Sequence, residues 1–184
     1  YYKHYKTKQC DKRDREQLFK LDSTLARMMS EYNYGIVKIG DYLFCHAGLQ
    51  YNICEKYEFD IPFMNKILIA FLRDELEDFP NLLEAFNDIY GSEGITWSRA
   101  LAHDDFEQCT KLPEILNKMD VKTLFVGHTK HDEISGKCHD LMYVLDSGLS
   151  ANISHCQYAK ITTDGIIFES TPVSEALLCP RKKM

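Results

Sequence analysis

Two histidines, His46 and His128, each follow a short apolar run and sit beside a glycine, in Leu43-Phe-Cys-His-Ala-Gly48 and Leu124-Phe-Val-Gly-His-Thr129. Neutral imidazole is the commonest metal ligand, and two imidazoles delivered from different strands suit zinc, iron or manganese. A third run, Leu141 to Leu145, stops at Asp146-Ser147-Gly148. Between these lies Trp97-Ser-Arg99, where extended backbone would point the indole and the guanidinium to one face. Arginine offers a planar fork of donors that matches a phosphate, and an aromatic wall would fix its approach. Taken singly, each feature has an ordinary reading: a hydrogen-bonded strand-end histidine, a turn at Asp146, a surface arginine beside a core tryptophan. Repetition of the strand-then-histidine device favours the shared site.

Strands must carry these groups. Thr123 to Val126, Leu141 to Leu145 and Tyr42 to Cys45 have the length and composition of buried strands, and apolar strands that end in polar groups gather them at one mouth of a sheet. Around them, the repeat of Leu18, Leu21, Leu25, Met28 and Tyr32 predicts an amphipathic helix over about 14 to 32, with Met28 and Met29 in the core. Ile36 to Ile39 and Tyr42 to Cys45 read as a hairpin about Gly40-Asp41. A polar loop is expected from Gln50 to Asp60, then helices opened by Pro62, over 80 to 90 and over 109 to 119. Asp164-Gly165 predicts a second hairpin joining Tyr158 to Thr163 and Ile166 to Glu169. Residues 1 to 13 and the tail Pro180-Arg-Lys-Lys read as surface segments.

The bulk composition narrows the class. At 184 residues, 45% hydrophobic and 27% charged, the chain has the make-up of one soluble globular domain, and the helices and strands read above make its class α/β. A net charge of -6 argues against a nucleic-acid surface. The sequence has no apolar run of membrane-spanning length and no signal-peptide core, and its seven scattered cysteines form no Cys-x-x-Cys pair. They are expected to be reduced thiols of an intracellular, cytoplasmic protein.

Four motifs in order resemble the C-terminal half of the calcineurin-like metallophosphoesterases, nearest their phosphoprotein phosphatase branch and its bacterial-type relatives. They are Leu43-Phe-Cys-His-Ala-Gly-Leu49, Ile95-Thr-Trp-Ser-Arg99, Phe125-Val-Gly-His-Thr129 and Tyr143-Val-Leu-Asp-Ser-Gly-Leu-Ser150. The resemblance implies half of a four-layer αββα sandwich, with helices outside and strands ending at the site. It implies His46 and His128 as ligands of the second of two divalent metals (manganese, iron or zinc), Arg99 as the phosphate-binding arginine, and Asp146 and Ser147 in support. The implied reaction is hydrolysis of phosphate monoesters of the Ser/Thr protein phosphatase kind, by a hydroxide bridging two ions roughly 3.5 to 4 Å apart.

The departures from the family pattern are equally specific. Its Gly-Asp-x-His, Gly-Asp-x-x-Asp-Arg-Gly and Gly-Asn-His-Glu/Asp segments, which supply the first metal's ligands and the general acid, do not occur here. A catalytic metal needs three or more protein ligands, and this chain offers two. Residues 1 to 184 are therefore expected to be the C-terminal half of such a domain, inactive alone and completed by an N-terminal half or another chain. The substrate would be a phosphorylated protein or small phosphoester. A dinucleoside tetraphosphate hydrolase and a non-catalytic structural or binding module are the alternatives.

Overall fold

Thr123–Val126 (β3) runs through the centre of the molecule, and all four of its residues are buried. A parallel strand covered on both faces must be apolar throughout rather than alternating, which is why Thr-Leu-Phe-Val serves here. In the computed structural model, which describes residues 12–76, 80–148 and 155–172, β3 pairs in parallel with Tyr42–Cys45 (β2) on one side and Met142–Val144 (β5) on the other. Ile36–Ile39 (β1) adds antiparallel outside β2, and Ser135–Lys137 (β4) antiparallel outside β5. The resulting order is β1-β2-β3-β5-β4. Because β2, β3 and β5 are mutually parallel, their C-terminal ends lie on one rim.

Helices form the surroundings. Tyr51–Lys56 (α3) occupies the stretch expected to be loop. Ile61–Leu72 (α4) starts where the Asp60 carboxylate accepts from the Phe63 N–H and Pro62 stands in the first turn, a strong N-terminal signal. Pro80–Tyr90 (α5) matches the expected span. Phe106–Lys118 (α6) begins earlier than expected because Asp105 caps it through the Gln108 N–H. Leu43, Met64, Ile89, Leu112, Ile115, Leu124 and Met142 are buried together between sheet and helices. Asn65 on α4 ties in the entry to β1, accepting from the Gly35 and Ile36 N–H groups and donating to the Ile36 carbonyl.

The long helix expected over about 14 to 32 is corrected to two, Lys12–Leu18 (α1) and Thr24–Tyr32 (α2). Asp22 takes a left-handed φ of 57° and the Ser23 side chain caps α2 through the Ala26 N–H. A cap in mid-pattern resets the helical phase, so Ala26 and Ser30 face inward while Met28 (52% exposed) and Tyr32 (74%) do not. The Met28 core assignment is therefore wrong.

The second hairpin pairs His155–Thr162 (β6) with Gly165–Pro172 (β7) through Thr163-Asp164, so Gly165 (φ 131°) opens β7 rather than filling the turn. The Phe168 ring meets Tyr143 of β5 at 4.8 Å between centroids. The expected αββα half-sandwich is corrected as well. The described residues form one five-stranded mixed sheet with helices and a separate two-stranded ribbon. The surface readings at 1 to 11 and at the C-terminal tail, and Leu149-Ser150 of the last motif, lie outside the described residues.

The cysteine expectation also fails at two positions. Cys109 on α6 and Cys138 in the turn after β4 are disulfide-bonded, their Cα atoms 5.0 Å apart. No sequence spacing announces this pair, since 29 residues separate its members.

Candidate functional site

The parallel ends of β2 and β3 bring the two histidines together. His46 Nε2 lies 3.1 Å from His128 Nδ1, with the rings edge to face. The Gly127 N–H donates to the His46 carbonyl at 2.8 Å, and a Cβ at Gly127 would sit 3.7 Å from that oxygen. His128 itself adopts φ 63°, a left-handed conformation uncommon for a residue with a side chain. That turn swings its imidazole back toward β2 instead of letting it continue along β3.

Arg99 arrives from a different segment. The Ala47 N–H donates to the Ile95 carbonyl at 2.8 Å, fastening the 95–99 loop to the end of β2. Arg99 Nη1 then donates to the His128 carbonyl and to Thr129 Oγ1, both at 3.1 Å. Thr129 is buried, whereas Arg99 is exposed. Nη1 makes the only Arg99 hydrogen bonds found among the described residues. The backbone here is a turn, with the Trp97 N–H donating to the Gly94 carbonyl, and not the expected extended strand. Trp97 nevertheless reaches the site: its ring stands perpendicular to His128 with centroids 5.4 Å apart, and it is 59% exposed.

Asp146 and Ser147 complete the rim at the end of β5. Asp146 Oδ1 accepts from the Gly148 N–H at 3.0 Å and its carbonyl from the His131 N–H at 2.8 Å. The carboxylate shapes its own turn, and the backbone carbonyl holds the loop that follows His128. Thr129, Gln50 and Glu93 were not singled out from the sequence. Gln50 donates to Glu93 and to Ser98 Oγ beside the 95–99 loop, and no local pattern marks such a long-range contact.

Burial is the main cause that holds His128 below the ordinary histidine pKa, with the charges of Arg99 and then His46 adding and Asp146 opposing. His128 Nε2 is buried without a hydrogen-bond partner among the described residues. A neutral imidazole keeps a lone pair for a proton or a cation, and the 3.1 Å separation suits two nitrogens bound to one ion at roughly 2.0 to 2.1 Å each. Burial pushes Cys45 well above the thiol range and Cys54 up to about 12, so both are neutral near pH 7. Apart from the histidine pair, the ligand atoms of Asp104, Cys109 and Cys138 lie within 4.8 Å of one another, a plausible chelating cluster whose sulfurs are joined as a disulfide. No helix among the described residues is long and apolar enough to cross a membrane.

No family model matches the sequence. The chain is 27% identical over 159 residues to Shewanella-like protein phosphatase 1 of Plasmodium berghei (strain Anka), across 81% of this chain and 42% of that protein. Its fold is similar to a cold-active protein tyrosine phosphatase, with a TM-score of 0.67 at 20% identity over 84% of this chain and 46% of the other. It is similar also to the cold-active protein-tyrosine phosphatase of a psychrophile, Shewanella sp., with a TM-score of 0.61 at 21% identity over 76% of this chain and 42% of the other. The chain thus spans less than half the length of these relatives. These likenesses correct the expectation of a calcineurin-like metallophosphoesterase of the Ser/Thr branch. The fold is shared with proteins described as tyrosine phosphatases, and the manganese-dependent, two-metal hydrolysis and the tetraphosphate hydrolase expected from that resemblance are set aside.

Proposed function

We propose that this chain supplies the phosphate-recognition rim of a protein phosphatase, a hydrolase acting on phosphorylated side chains, phosphotyrosine foremost. One observation carries the reading: His128 lies within hydrogen-bonding distance of both His46 and Arg99, the three residues coming from separate segments. The Nη2 and Nε donors of Arg99 would take two phosphate oxygens, and the exposed face of Trp97 would lie against the ring of an aryl phosphate. Both curated and structural relatives are described as protein phosphatases, which is why a protein substrate is preferred to a nucleotide.

His46 and His128 are proposed as two ligands of a single divalent cation, their spacing and the neutral state of His128 being the support. Asp146 and Ser147 keep the rim in shape. The remaining ligands and the groups that attack and protonate are proposed to lie outside this chain, which then forms the C-terminal part of a larger catalytic domain.

The test is a titration of the chain with inorganic phosphate followed by NMR at the Arg99 guanidinium and the two imidazoles. Saturable shifts at all three, lost from Arg99 in Arg99→Ala, are expected. Phosphate binding that leaves these groups unperturbed would sink the assignment.

A further inference from the structure

Asp104, Cys109 and Cys138 come from three places: the residue after the 3-10 turn Leu101–His103, the first turn of α6, and the turn leaving β4. One carboxylate and two sulfurs within 4.8 Å of one another are more than a disulfide requires. The Asp104 carboxylate is held in place from both sides, accepting from the Cys138 N–H on Oδ1 and from Lys137 Nζ on Oδ2, each at 2.9 Å. Those contacts keep it ionised despite its partial burial.

We propose that the chain has a zinc site made of Asp104, Cys109 and Cys138, with water in the fourth position, that forms when the disulfide is reduced and is abolished when it re-forms. The chemistry closes. A dithiol reductant passes two electrons and two protons to the disulfide and is itself oxidised to a cyclic disulfide. Zinc then displaces the two thiol protons and binds both thiolates. Two thiolates and one carboxylate around a divalent ion leave one negative charge, which the Lys137 ammonium on Asp104 offsets. Soft sulfur donors in a tetrahedral set select zinc over the hard cations that carboxylates prefer. Either state clamps α6 to the turn leaving β4. The site is made of other residues than the histidine pair and does not depend on the proposed phosphatase reading.

Cobalt is the probe. The full chain is reduced with a dithiol, freed of it, and titrated with Co(II) while thiolate-to-cobalt charge-transfer absorption is followed. One equivalent is expected to bind with that absorption, and the absorption is expected to be absent after oxidation with diamide, whatever cobalt the histidine pair then holds. Cys109→Ser should abolish the band, Asp104→Asn should weaken binding at least tenfold, and the double variant His46→Ala, His128→Ala should leave the band intact. Absence of the band in reduced, folded protein overturns the site, as does its persistence in Cys109→Ser. Should Cys109→Ser not fold by circular dichroism, an unchanged cobalt affinity in Asp104→Asn is the overturning result.

Discussion

His46 Nε2 and His128 Nδ1 are 3.1 Å apart although 82 residues separate them, and the contact is made by the ends of two strands paired in parallel. Neither nitrogen is satisfied by the backbone of its own strand. Two such nitrogens share one proton or one cation. With a cation on the pair, His46→Ala or His128→Ala should weaken zinc binding to the fully oxidised chain by tenfold or more, read by competition with a chromophoric chelator. Equal affinity in wild type and both variants would remove the pair from consideration as ligands.

Arg99 bonds both His128 and Thr129 through one nitrogen, so its loss touches both binding and local order. Hydrogen bonds to charged groups contribute about 1.5 to 3 kcal/mol, and Arg99→Ala should weaken phosphate binding by roughly tenfold or more on that scale. Arg99→Lys should recover only part of it, since an ammonium lacks the fork. Calorimetric phosphate titration of the three proteins checks this, and unchanged affinity in Arg99→Ala would show the arginine to be structural.

The pH response follows from the sign of the His128 shift. Its folded-state pKa lies below the ordinary value, so between that lowered value and about 6.5 the unfolded chain binds more protons than the folded one. Stability contributed by neutral His128 is complete above that window and declines as pH falls through it. Two-dimensional NMR should show His128 titrating below a free histidine. Arg99→Ala should move its midpoint upward, because the guanidinium is the second-largest cause of the shift. A midpoint that stays put on that substitution would show that the guanidinium charge does not reach the ring.

Leu124 on β3 is fully shielded, in the middle of the sheet that sets the rim. Leu124→Ala should cost about 2 to 5 kcal/mol, the range for large-to-small changes in a closed core, measured by urea unfolding. A loss below 1 kcal/mol would mean that the sheet repacks around the gap.

How much of this was legible in the residues themselves can be followed position by position. The runs ending at His46, His128 and Asp146 declare three strands and their polar ends, because a strand buried on both faces leaves no polar residue until it emerges. Gly40-Asp41 declares the first hairpin for an equally local reason, a turn that needs positive φ at Gly40. The candidate site residues were likewise chosen from types and neighbours, and the fold brings His46, Arg99 and His128 to one place. The family drawn from those motifs did not survive, since short strings are shared more widely than the folds and chemistries that carry them.

Other features had no local signature. The break at Asp22-Ser23 turns Met28 outward because a side-chain cap outweighs a run of helical spacing. Arg99 faces His128 because the Ile95 carbonyl receives the Ala47 N–H, a bond between segments far apart in the chain. Cys109 meets Cys138 only once α6 packs beside the turn after β4. Residue identity thus determined which groups were available, strand by strand. Their meeting, their desolvation and the lowered proton affinity of His128 depend on distances between segments, and those exist only after the sheet has closed.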